Sequence, residues 1–570
     1  MIMENNTEKR FLSSLRSVEM TMESRLSFRA KPRNLCAGII PALFLGLVAA
    51  SCTGKYLEIN TNPYEVNRDQ TLTDGYAISA AISAMGGAVV STDVNTAQFT
   101  DCLLGGPMGG YYSTTGAFEK TIDNFNPTDD WTRVLLASDK IIPTLYSNLS
   151  ELRSITDDPL TLAIGDIIKV TAMLRVTDTY GPIPYSQIGQ GGKITVAYDS
   201  QEKVYDTMFA ELDGAIASLT ENRLSSISPK ADPVYDGTAV KWCRFANSLK
   251  LRMAMRIVYA APEKAKKMAE EAVNHEIGCF TDNSDNAMLR PVAFGEKGNP
   301  LYTAIKYNQP SGSVTGGDTH AAADIICYMN GYNDPRRAKY FIKSEFEGID
   351  WAGIRVSVEK PSLNSVGRKY SGVNVSTTDP IVWMNAAEVA FLKAEAKAVF
   401  GFDMGAGTAE EFYNEGIRLS FEQNGVAGYA DYIANDTDRP SSYTDPAGLN
   451  SYATPLSDLT VKWDESATTE QKQERIIIQK WIANFNNGIE AWSDHRRTGY
   501  PKFFPASDAG NKSSGTVDNE FGARRMPYPL AEYSNNGENV NEAVANYLGG
   551  PDRMSTRLWW DCNPAVGTKK

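Results

Sequence analysis

Histidine is scarce in this sequence of 570 residues, which contains His275, His320 and His495 and no others. A zinc peptidase motif needs a second histidine four positions after the first, but Cys279 stands at that position after His275. The sequence also lacks a Gly-x-Ser-x-Gly nucleophile turn and a phosphate loop that ends in Gly-Lys-Ser or Gly-Lys-Thr. These absences disfavour acyl-transfer and nucleotide-dependent enzymes, and we expect a protein without catalytic activity.

Basic residues are outnumbered, since 56 Lys and Arg stand against 69 Asp and Glu and give a formal net charge of −13. Nucleic-acid binding needs Lys and Arg concentrated on one face, where they displace the counterions of the phosphates. The sequence shows no such stripe. We therefore expect no nucleic-acid partner, and a neutral ligand fits the acidic chain better than a polyanion does.

Cysteine is also rare, with seven residues in the whole chain. Those that lie well beyond the N-terminal region are few, widely spaced and odd in number: Cys102, Cys243, Cys279, Cys327 and Cys562. A chain of this size does not need a disulfide framework, so we expect most of these thiols to be buried as small apolar side chains.

An apolar run from Leu35 to Ala50 follows Lys31 and Arg33. At roughly 16 residues it is shorter than the ~20 that a membrane-spanning helix needs, and we expect no later segment to span a bilayer. Ala49-Ala50-Ser51-Cys52 is typical of a bacterial lipobox. We predict a signal peptide over residues 1–51, lipidation at Cys52 and one ligand-binding domain over 52–570. A plain secretory signal with an incidental cysteine is the alternative.

Helical periodicity indicates a mainly α fold. Between 239 and 258, apolar residues recur on one helix face at Trp242, Phe245, Leu249 and Met253. A face of small residues between 385 and 400 is followed by Thr408 and Glu411, which have the spacing of a capping box. Further helix pairs are predicted at 129–150 with 158–179 and at 200–220 with 239–259. Their recurrence favours stacked helix pairs of the tetratricopeptide kind.

The region from about 280 to 380 lacks this periodicity and is rich in Gly, Asn, Ser and Thr. We predict a long irregular, loop-rich excursion there. Segments of this kind in a compact protein are often functional, so a ligand is sought here first.

Aromatic residues in loop-like context are candidates for ligand contact, since a ring can pack against the C–H face of a sugar while polar neighbours bind its hydroxyls. A ring in a glycine-rich loop is buried about as often as it is exposed, and we expect at most half of the set to touch ligand. The candidates are Tyr111, Tyr112, Tyr307, Asn308, Gln309, Tyr332, Trp351, Arg368 and Tyr370.

Oxygen-bearing side chains are concentrated at Asp282-Asn283-Ser284-Asp285-Asn286. Calcium prefers such hard ligands, but the segment lacks the full spacing of a calcium-binding loop. A solvated turn is the favoured interpretation, and we expect no cofactor.

Several longer motifs follow one another in a definite order. In the first half of the chain they are Ile59-Asn60-Thr61-Asn62-Pro63, Asp178-Thr179-Tyr180-Gly181-Pro182-Ile183-Pro184-Tyr185 and Lys241-Trp242 with Phe245 to Arg256. In the second half they are Asn333-Asp334-Pro335-Arg336, Gln479-Lys480-Trp481-Ile482-Ala483, Glu490 to Pro501, Arg524 to Pro529 and Trp559-Trp560-Asp561. Together, and in this order, they resemble the SusD/RagB family of lipoproteins across most of the chain.

This resemblance implies an α-helical fold with tetratricopeptide-like pairs, anchored by lipid outside a bacterial outer membrane beside a SusC-like TonB-dependent transporter. It implies non-catalytic binding of oligosaccharide nutrients and their delivery to that transporter. A peptide-binding lipoprotein with the same partner is the alternative. A surface glycoside hydrolase is the third choice, because such an enzyme needs only two suitably placed carboxylates.

The most specific of these motifs contains Glu490, Arg496 and Arg497. A carboxylate and guanidinium groups at a helix end beside Trp492 form a buried structural network more often than a ligand site. We therefore interpret this motif as a determinant of the fold.

Overall fold

The computed structural model describes residues 75–115, 122–126, 128–190, 195–360 and 366–567. All of them belong to one compact unit between Thr71 and Lys570. The predicted signal peptide, Cys52 and the motif Ile59–Pro63 lie outside the described residues.

Helices dominate the described residues. From the N-terminal side they are α1 (Tyr76–Val89), α2 (Val94–Ala97), α3 (Gly106–Met108), α4 (Asp129–Thr132), α5 (Ile142–Ile155), α6 (Pro159–Tyr180), α7 (Gln201–Glu221), α8 (Ala239–Arg256) and α9 (Pro262–Val273). They continue with α10 (Pro300–Ile305), α11 (Ala323–Gly331), α12 (Arg337–Tyr340), α13 (Ala386–Phe400), α14 (Ala409–Gln423), α15 (Tyr429–Ala434), α16 (Thr469–Ala483), α17 (Gly488–Thr498) and α18 (Leu530–Asn546). A π-helical segment, Gln98–Gly105, joins α2 to α3.

Several helices that follow one another in the sequence pack as neighbours. Helix α6 packs on α5 and α7, α8 packs on α7 and α9, and α13 packs on α14, α16 and α8. The predicted mainly helical fold with tetratricopeptide-like pairs is confirmed. Helix α8 also has the expected buried face, because Trp242, Phe245, Leu249 and Met253 are fully enclosed.

The α13–α14 pair shows how local sequence sets the packing. Helix α14 begins with the predicted capping box of Thr408 and Glu411, which satisfies backbone N–H groups at the helix start. Its Gly416 faces Phe391 of α13, and a Cβ at this position would lie 2.7 Å from the ring. The glycine therefore permits the close approach of the two helices.

The predicted helix at 129–150 is interrupted. Helix α4 ends at Thr132, and α5 begins only at Ile142. Pro143 lies in the first turn of α5, where its missing N–H leaves no hydrogen bond unmade. The proline thus sets the start of the second helix.

One helical run among the described residues, Tyr76–Met108, has the length and mean hydropathy of a membrane span, which the sequence analysis did not anticipate. Half of its most apolar window is buried inside the fold. Apolar core helices have the same composition, and burial here gives the run a packing role.

Short strands form two-stranded antiparallel sheets in the described part of the chain. The pairs are β1 (Tyr112–Thr114) with β5 (Thr319–Ala321), β2 (Ile183–Pro184) with β3 (Tyr198–Asp199), β4 (Ala287–Leu289) with β8 (Ile381–Met384), and β6 (Phe341–Ile342) with β7 (Gly372–Val373). In the β1–β5 pair, Ser113 lies opposite His320. Apart from α10, α11 and α12, the region from 280 to 380 contains strands and turns of two to four residues joined by loops.

Buried charges join five helices in what we call the central charge network. Its members are Asp178 of α6, Arg252 and Arg256 of α8, Glu388 and Glu395 of α13, Lys480 of α16, and Glu490, Asp494 and Arg497 of α17. Removing an ion from water is costly, so each of these groups requires a partner of opposite charge inside the protein.

Two arginines of α8 occupy one half of the network. Arg252 donates to both carboxylate oxygens of Glu388, with 2.7 Å from Nε to Oε1 and 2.6 Å from Nη2 to Oε2. Arg256 donates from Nη2 to Oε2 of Glu490 at 2.5 Å, and its Nε lies 3.5 Å from Oδ2 of Asp178. Helix α8 is thereby joined to α6, α13 and α17.

The other half is centred on α17. Lys480 donates from Nζ to Oδ2 of Asp494 at 2.7 Å and lies 3.4 Å from Oε1 of Glu490. Arg497 donates to the two oxygens of Glu395 at 2.7 and 2.8 Å, and to Oδ1 of Asp494 at 3.0 Å. The structural interpretation of Glu490 and Arg497 is confirmed.

Arg496 is held in a different way. Its guanidinium carbon lies 3.8 Å from the ring centroid of Trp492 and 4.8 Å from that of Trp560. The same group donates to the Arg524 carbonyl and to the Ser493 hydroxyl, both at 2.9 Å. Stacking between two indoles and hydrogen bonds to neutral oxygens stabilise this cation within the core.

Loss of one network carboxylate should destabilise the fold strongly. The Glu395→Ala variant leaves the buried Arg497 without its bidentate partner, and we expect the free energy of unfolding to fall by ~3–5 kcal/mol. Urea denaturation followed by circular dichroism measures this loss. The matched control is Asp350→Ala, which removes an exposed pair with Lys343 and should leave stability nearly unchanged. Equal stability of the two variants would contradict a structural role for the network.

The network should also make stability depend on pH. Burial opposes ionisation of Asp494, but Lys480 and Arg497 outweigh it and hold the pKa of this carboxyl well below its usual range. Because the folded pKa is depressed, its stabilisation is present above the unfolded pKa of about 4 and is lost as the pH falls. Between about pH 5 and about pH 3, Asp494→Asn should lose less free energy of unfolding than the parent chain does. Parallel pH profiles in urea would rule this linkage out.

Candidate functional site

The nine candidate contact residues separate into an enclosed set and a surface set. Four of the tyrosines, Tyr111, Tyr112, Tyr332 and Tyr370, have exposures of 0, 2, 2 and 1%. The other five, which are Tyr307, Asn308, Gln309, Trp351 and Arg368, are exposed or partly exposed.

Each enclosed tyrosine has an internal hydrogen-bond acceptor. The Tyr111 hydroxyl donates to the Trp481 carbonyl at 2.6 Å, and the two rings stack with centroids 5.6 Å apart. The Tyr332 hydroxyl donates to the Leu459 carbonyl at 3.0 Å. A buried tyrosine is stable where its hydroxyl is satisfied in this way.

The hydroxyls of Tyr112 and Tyr370 also have acceptors inside the protein. The Tyr112 hydroxyl donates to Oδ1 of Asn486, and the Tyr370 hydroxyl donates to Oδ1 of Asp445 at 2.5 Å. All four rings are enclosed and present no face to a ligand, so the prediction that they contact ligand does not fit this structure.

Three neighbouring segments carry the exposed candidates. We call residues 306–318, 344–352 and 366–371 the loop surface. The Glu345 N–H donates to the Lys369 carbonyl at 2.7 Å, which joins the second segment to the third. The Thr315 hydroxyl donates to the Arg368 carbonyl at 2.6 Å, which joins the first to the third.

Asp318 is the polar centre of the loop surface. Its Oδ2 accepts a hydrogen bond from Nδ2 of Asn308 at 2.7 Å, and its Oδ1 lies 3.6 Å from Nη2 of Arg368. Arg368 also donates to the Asn308 carbonyl at 3.0 Å. Two predicted residues that are 60 positions apart are therefore brought together by a residue that was not predicted.

This cluster has unused hydrogen-bonding capacity. Burial raises the pKa of Asp318, and the Asn308 amide and the Arg368 guanidinium oppose that shift. Among the described residues, Oδ1 of Asp318 and Nε of Arg368 have no hydrogen-bond partner. Both atoms are enclosed, and the parts of the cluster that reach the surface are the side chain of Asn308 and part of Arg368.

Tyr307 stands beside this cluster with 55% of its surface exposed. The loop folds tightly behind it, because a Cβ at Gly317 would overlap the Tyr307 carbonyl. The side chain of Gln309 is engaged within the loop, where Nε2 donates to the Ser313 carbonyl at 2.6 Å. Tyr307 is consequently a ring held at the surface by a compact loop.

Trp351 lies on the second segment and is partly exposed. The guanidinium carbon of Arg337 lies 5.3 Å from its ring centroid, so this side chain covers part of the indole. The next residue, Ala352, accepts a hydrogen bond from the Ser371 N–H at 2.8 Å. The backbone of the second segment thus adjoins the segment that carries Arg368.

His320 fixes the base of the loop surface. This fully buried ring places Nδ1 3.0 Å from the Tyr370 carbonyl and Nε2 3.0 Å from the Gly317 carbonyl. Burial lowers the pKa of His320, which favours the neutral ring, and a neutral imidazole donates from one nitrogen only. One donated hydrogen bond and close packing on both sides hold the first and third segments together.

Sequence reasoning missed Asp318 and His320. Both residues closely follow the pair Gly316-Gly317, which ends the loop. Their position shortly after these glycines was the sequence signal that could have identified them. Their partners Arg368 and Tyr370 are 50 residues away in each case. Contacts over such a separation cannot be predicted from local sequence patterns.

The segment 282–286 uses much of its hydrogen-bonding capacity within the protein. Asp282 accepts from the Ser284 N–H at 2.8 Å, and Asp285 accepts from Arg244 at 2.9 Å. Within the described ranges, no group of three or more His, Cys, Asp or Glu side chains is arranged to hold a metal ion. The prediction of a turn without a cofactor stays a prediction.

The loop surface combines an exposed ring with amide, carboxylate and guanidinium groups. Such a combination suits a ligand that has an apolar face and a hydroxyl-rich edge. The groups of the loop surface can bind such a ligand and orient it.

Known structures share this fold over most of their length. A SusD homologue from Bacteroides uniformis is 56% identical, with 86% of this chain and 100% of that chain covered and a TM-score of 0.83. A SusD homologue from Bacteroides thetaiotaomicron is 38% identical, with coverage of 85% and 98% and a TM-score of 0.77. A chitin-binding SusD homologue from Flavobacterium johnsoniae is 38% identical, with coverage of 85% and 99% and a TM-score of 0.76.

No match was found among curated proteins. The family model described as Susd and RagB outer membrane lipoprotein matches residues 58–561. That range includes every helix of the central charge network and the whole loop surface. The chain therefore belongs to the SusD-like family of outer membrane lipoproteins.

Proposed function

We propose that this protein binds oligosaccharides at the bacterial surface without cleaving them and delivers them to a SusC-like TonB-dependent transporter. The observation that carries the proposal is the exposed ring of Tyr307 beside Asn308, Asp318 and Arg368. Membership of the family and the chitin-binding relative support a carbohydrate ligand.

The proposed contacts follow from sugar chemistry. The Tyr307 ring packs on the C–H face of one sugar unit, while the cluster around Asp318 binds hydroxyls at its edge. Trp351, on the neighbouring segment, contacts a further unit of the chain. Several weak contacts along an oligomer give useful avidity and still permit release into a transporter.

The membrane attachment in this proposal uses a lipid on Cys52, with the loop surface facing the exterior. The partner barrel receives the ligand when the protein closes over its mouth. Extraction of the native membrane in mild detergent should recover this chain together with a TonB-dependent barrel. Recovery of the chain alone would count against the delivery step.

The ligand site is tested by removing the exposed ring. We expect Tyr307→Ala, in the chain from residue 53 onward, to weaken oligosaccharide binding roughly tenfold, because stacking on an aromatic ring and its buried area are lost. Isothermal titration calorimetry against a panel of oligosaccharides and peptides measures the change. The matched control is Tyr547→Ala, another exposed tyrosine, which should bind as the parent does.

Other outcomes of this experiment separate the alternatives. Binding of peptides only would favour the peptide-binding lipoprotein. Shortened products after incubation with an oligosaccharide would overturn the non-catalytic assignment. Undiminished affinity of Tyr307→Ala would remove the loop surface as the site.

Substitution of an enclosed tyrosine should lower the free energy of unfolding. Tyr112→Ala opens a cavity in the core, and we expect a loss of ~3–5 kcal/mol in the free energy of unfolding. Tyr307→Ala at the surface should change this quantity by less than ~0.5 kcal/mol. Urea denaturation of both variants checks the contrast, and a stable Tyr112→Ala variant would be inconsistent with the packing described above.

A further inference from the structure

A concave site lies next to the C-terminal end of α17, and none of its lining residues belongs to the loop surface. It is a cleft with a volume of about 740 Å³. Its walls come from residues 452–459, from the first half of α16 and from the chain between 495 and 524. A volume of several hundred Å³ is typical of sites for small molecules.

Carboxylates dominate the charge of this cleft. Asp458, Glu470, Glu474 and Glu520 line it, together with Lys502 and Arg524. Arg524 is already paired with Asp561, with 2.8 Å from its Nε to Oδ2. The net field in the cleft is therefore negative and favours a cationic ligand.

Glu474 is the most deeply placed of these carboxylates. It is 7% exposed, and its Oε1 has no hydrogen-bond partner among the described residues. Burial raises the pKa of this carboxyl. Burial of a carboxylate costs stability, and an ammonium group in the cleft would offset part of that cost through its attraction to the negative charge of Glu474.

His495 adds a further acceptor to the cleft wall. Its Nδ1 lies 2.9 Å from the Pro501 carbonyl, which can only accept, so Nδ1 carries the proton. Burial, reinforced by Arg524, lowers the pKa of His495 to about 4, and the ring is neutral at physiological pH. Nε2 then offers a lone pair, and the ring stacks on Phe503 with centroids 4.5 Å apart.

Aromatic rings complete the walls. Tyr500 donates from its hydroxyl to Oε1 of Glu470 at 2.6 Å, which orients this exposed carboxylate. Tyr452 and Phe503 also line the cleft. Ring faces attract cations and pack against C–H groups, while the carboxylates and the histidine accept hydrogen bonds. The cleft is thus rich in acceptors and suits a ligand that is rich in donors.

We propose that this cleft is a second ligand site, which takes a small molecule with an ammonium group on a hydroxylated body, as in an amino sugar. It is separate from the loop surface in position and in charge, so it does not depend on the function proposed above. The ammonium lies against Glu474 and Glu470, and the hydroxyls face His495 and the aromatic walls.

Three probes that differ at one substituent test the proposal. Glucosamine, glucose and N-acetylglucosamine are titrated into the chain from residue 53 onward by calorimetry, in slightly acidic buffer where the amine is protonated. We expect glucosamine to bind at least about tenfold more tightly than the other two, since a charge-assisted hydrogen bond supplies this factor. Equal affinity for all three probes would overturn the proposal.

Two variants locate the binding. Glu474→Gln and Glu470→Gln should each lower the affinity for glucosamine, the former by at least about tenfold. Glu410→Gln, at an exposed glutamate in the first turn of α14, is the matched control and should bind as the parent does. Retained affinity in both cleft variants, or loss of affinity in Tyr307→Ala, would place the binding elsewhere and refute the assignment.

A second readout separates binding from a structural role. Without ligand, Glu474→Gln should raise the melting temperature, because it removes a buried carboxylate with an unpartnered oxygen. Glucosamine should raise the melting temperature of the parent chain and leave that of Glu474→Gln unchanged. A lower melting temperature for Glu474→Gln without ligand would show that Glu474 stabilises the fold, which contradicts the proposal.

Discussion

Buried arginines paired with carboxylates of other helices are the interaction on which the helical body depends. Arg252 and Arg256 project from α8 to three other helices, and Arg497 joins α17 to α13. Each ion is stable only if its partners are in place, since an unpaired charge in this environment is very costly. The network therefore requires a particular mutual arrangement of the five helices that contribute to it.

This requirement explains why the motifs of the family lie far apart in the sequence and close together in space. Asp178, from one motif, accepts hydrogen bonds from Tyr205 at 2.7 Å and from Trp560 of the last motif at 2.9 Å. Such residues determine how the helices pack. They carry no information about the ligand, and in the proposed function the ligand binds to loops that the helices support.

The loop surface and the cleft beside α17 differ in chemistry. The loop surface presents a phenol ring beside a mixed cluster of amide, carboxylate and guanidinium. The cleft beside α17 presents mainly acceptors, and Glu474 is the most buried of its carboxylates. The proposed oligosaccharide and the proposed amine-bearing molecule follow from this difference in donors, acceptors and net charge.

Local sequence determined the helices of this protein and several of their ends. The apolar spacing of α8 and the capping box at Thr408 depend on neighbours within a few residues, and the sequence shows such relations directly. Only the tertiary structure decided which aromatic rings face solvent. Tyr111 is enclosed by Trp481, which is 370 residues away, whereas Tyr307 stays exposed on its loop. Burial depends on such distant contacts, and no local pattern records them.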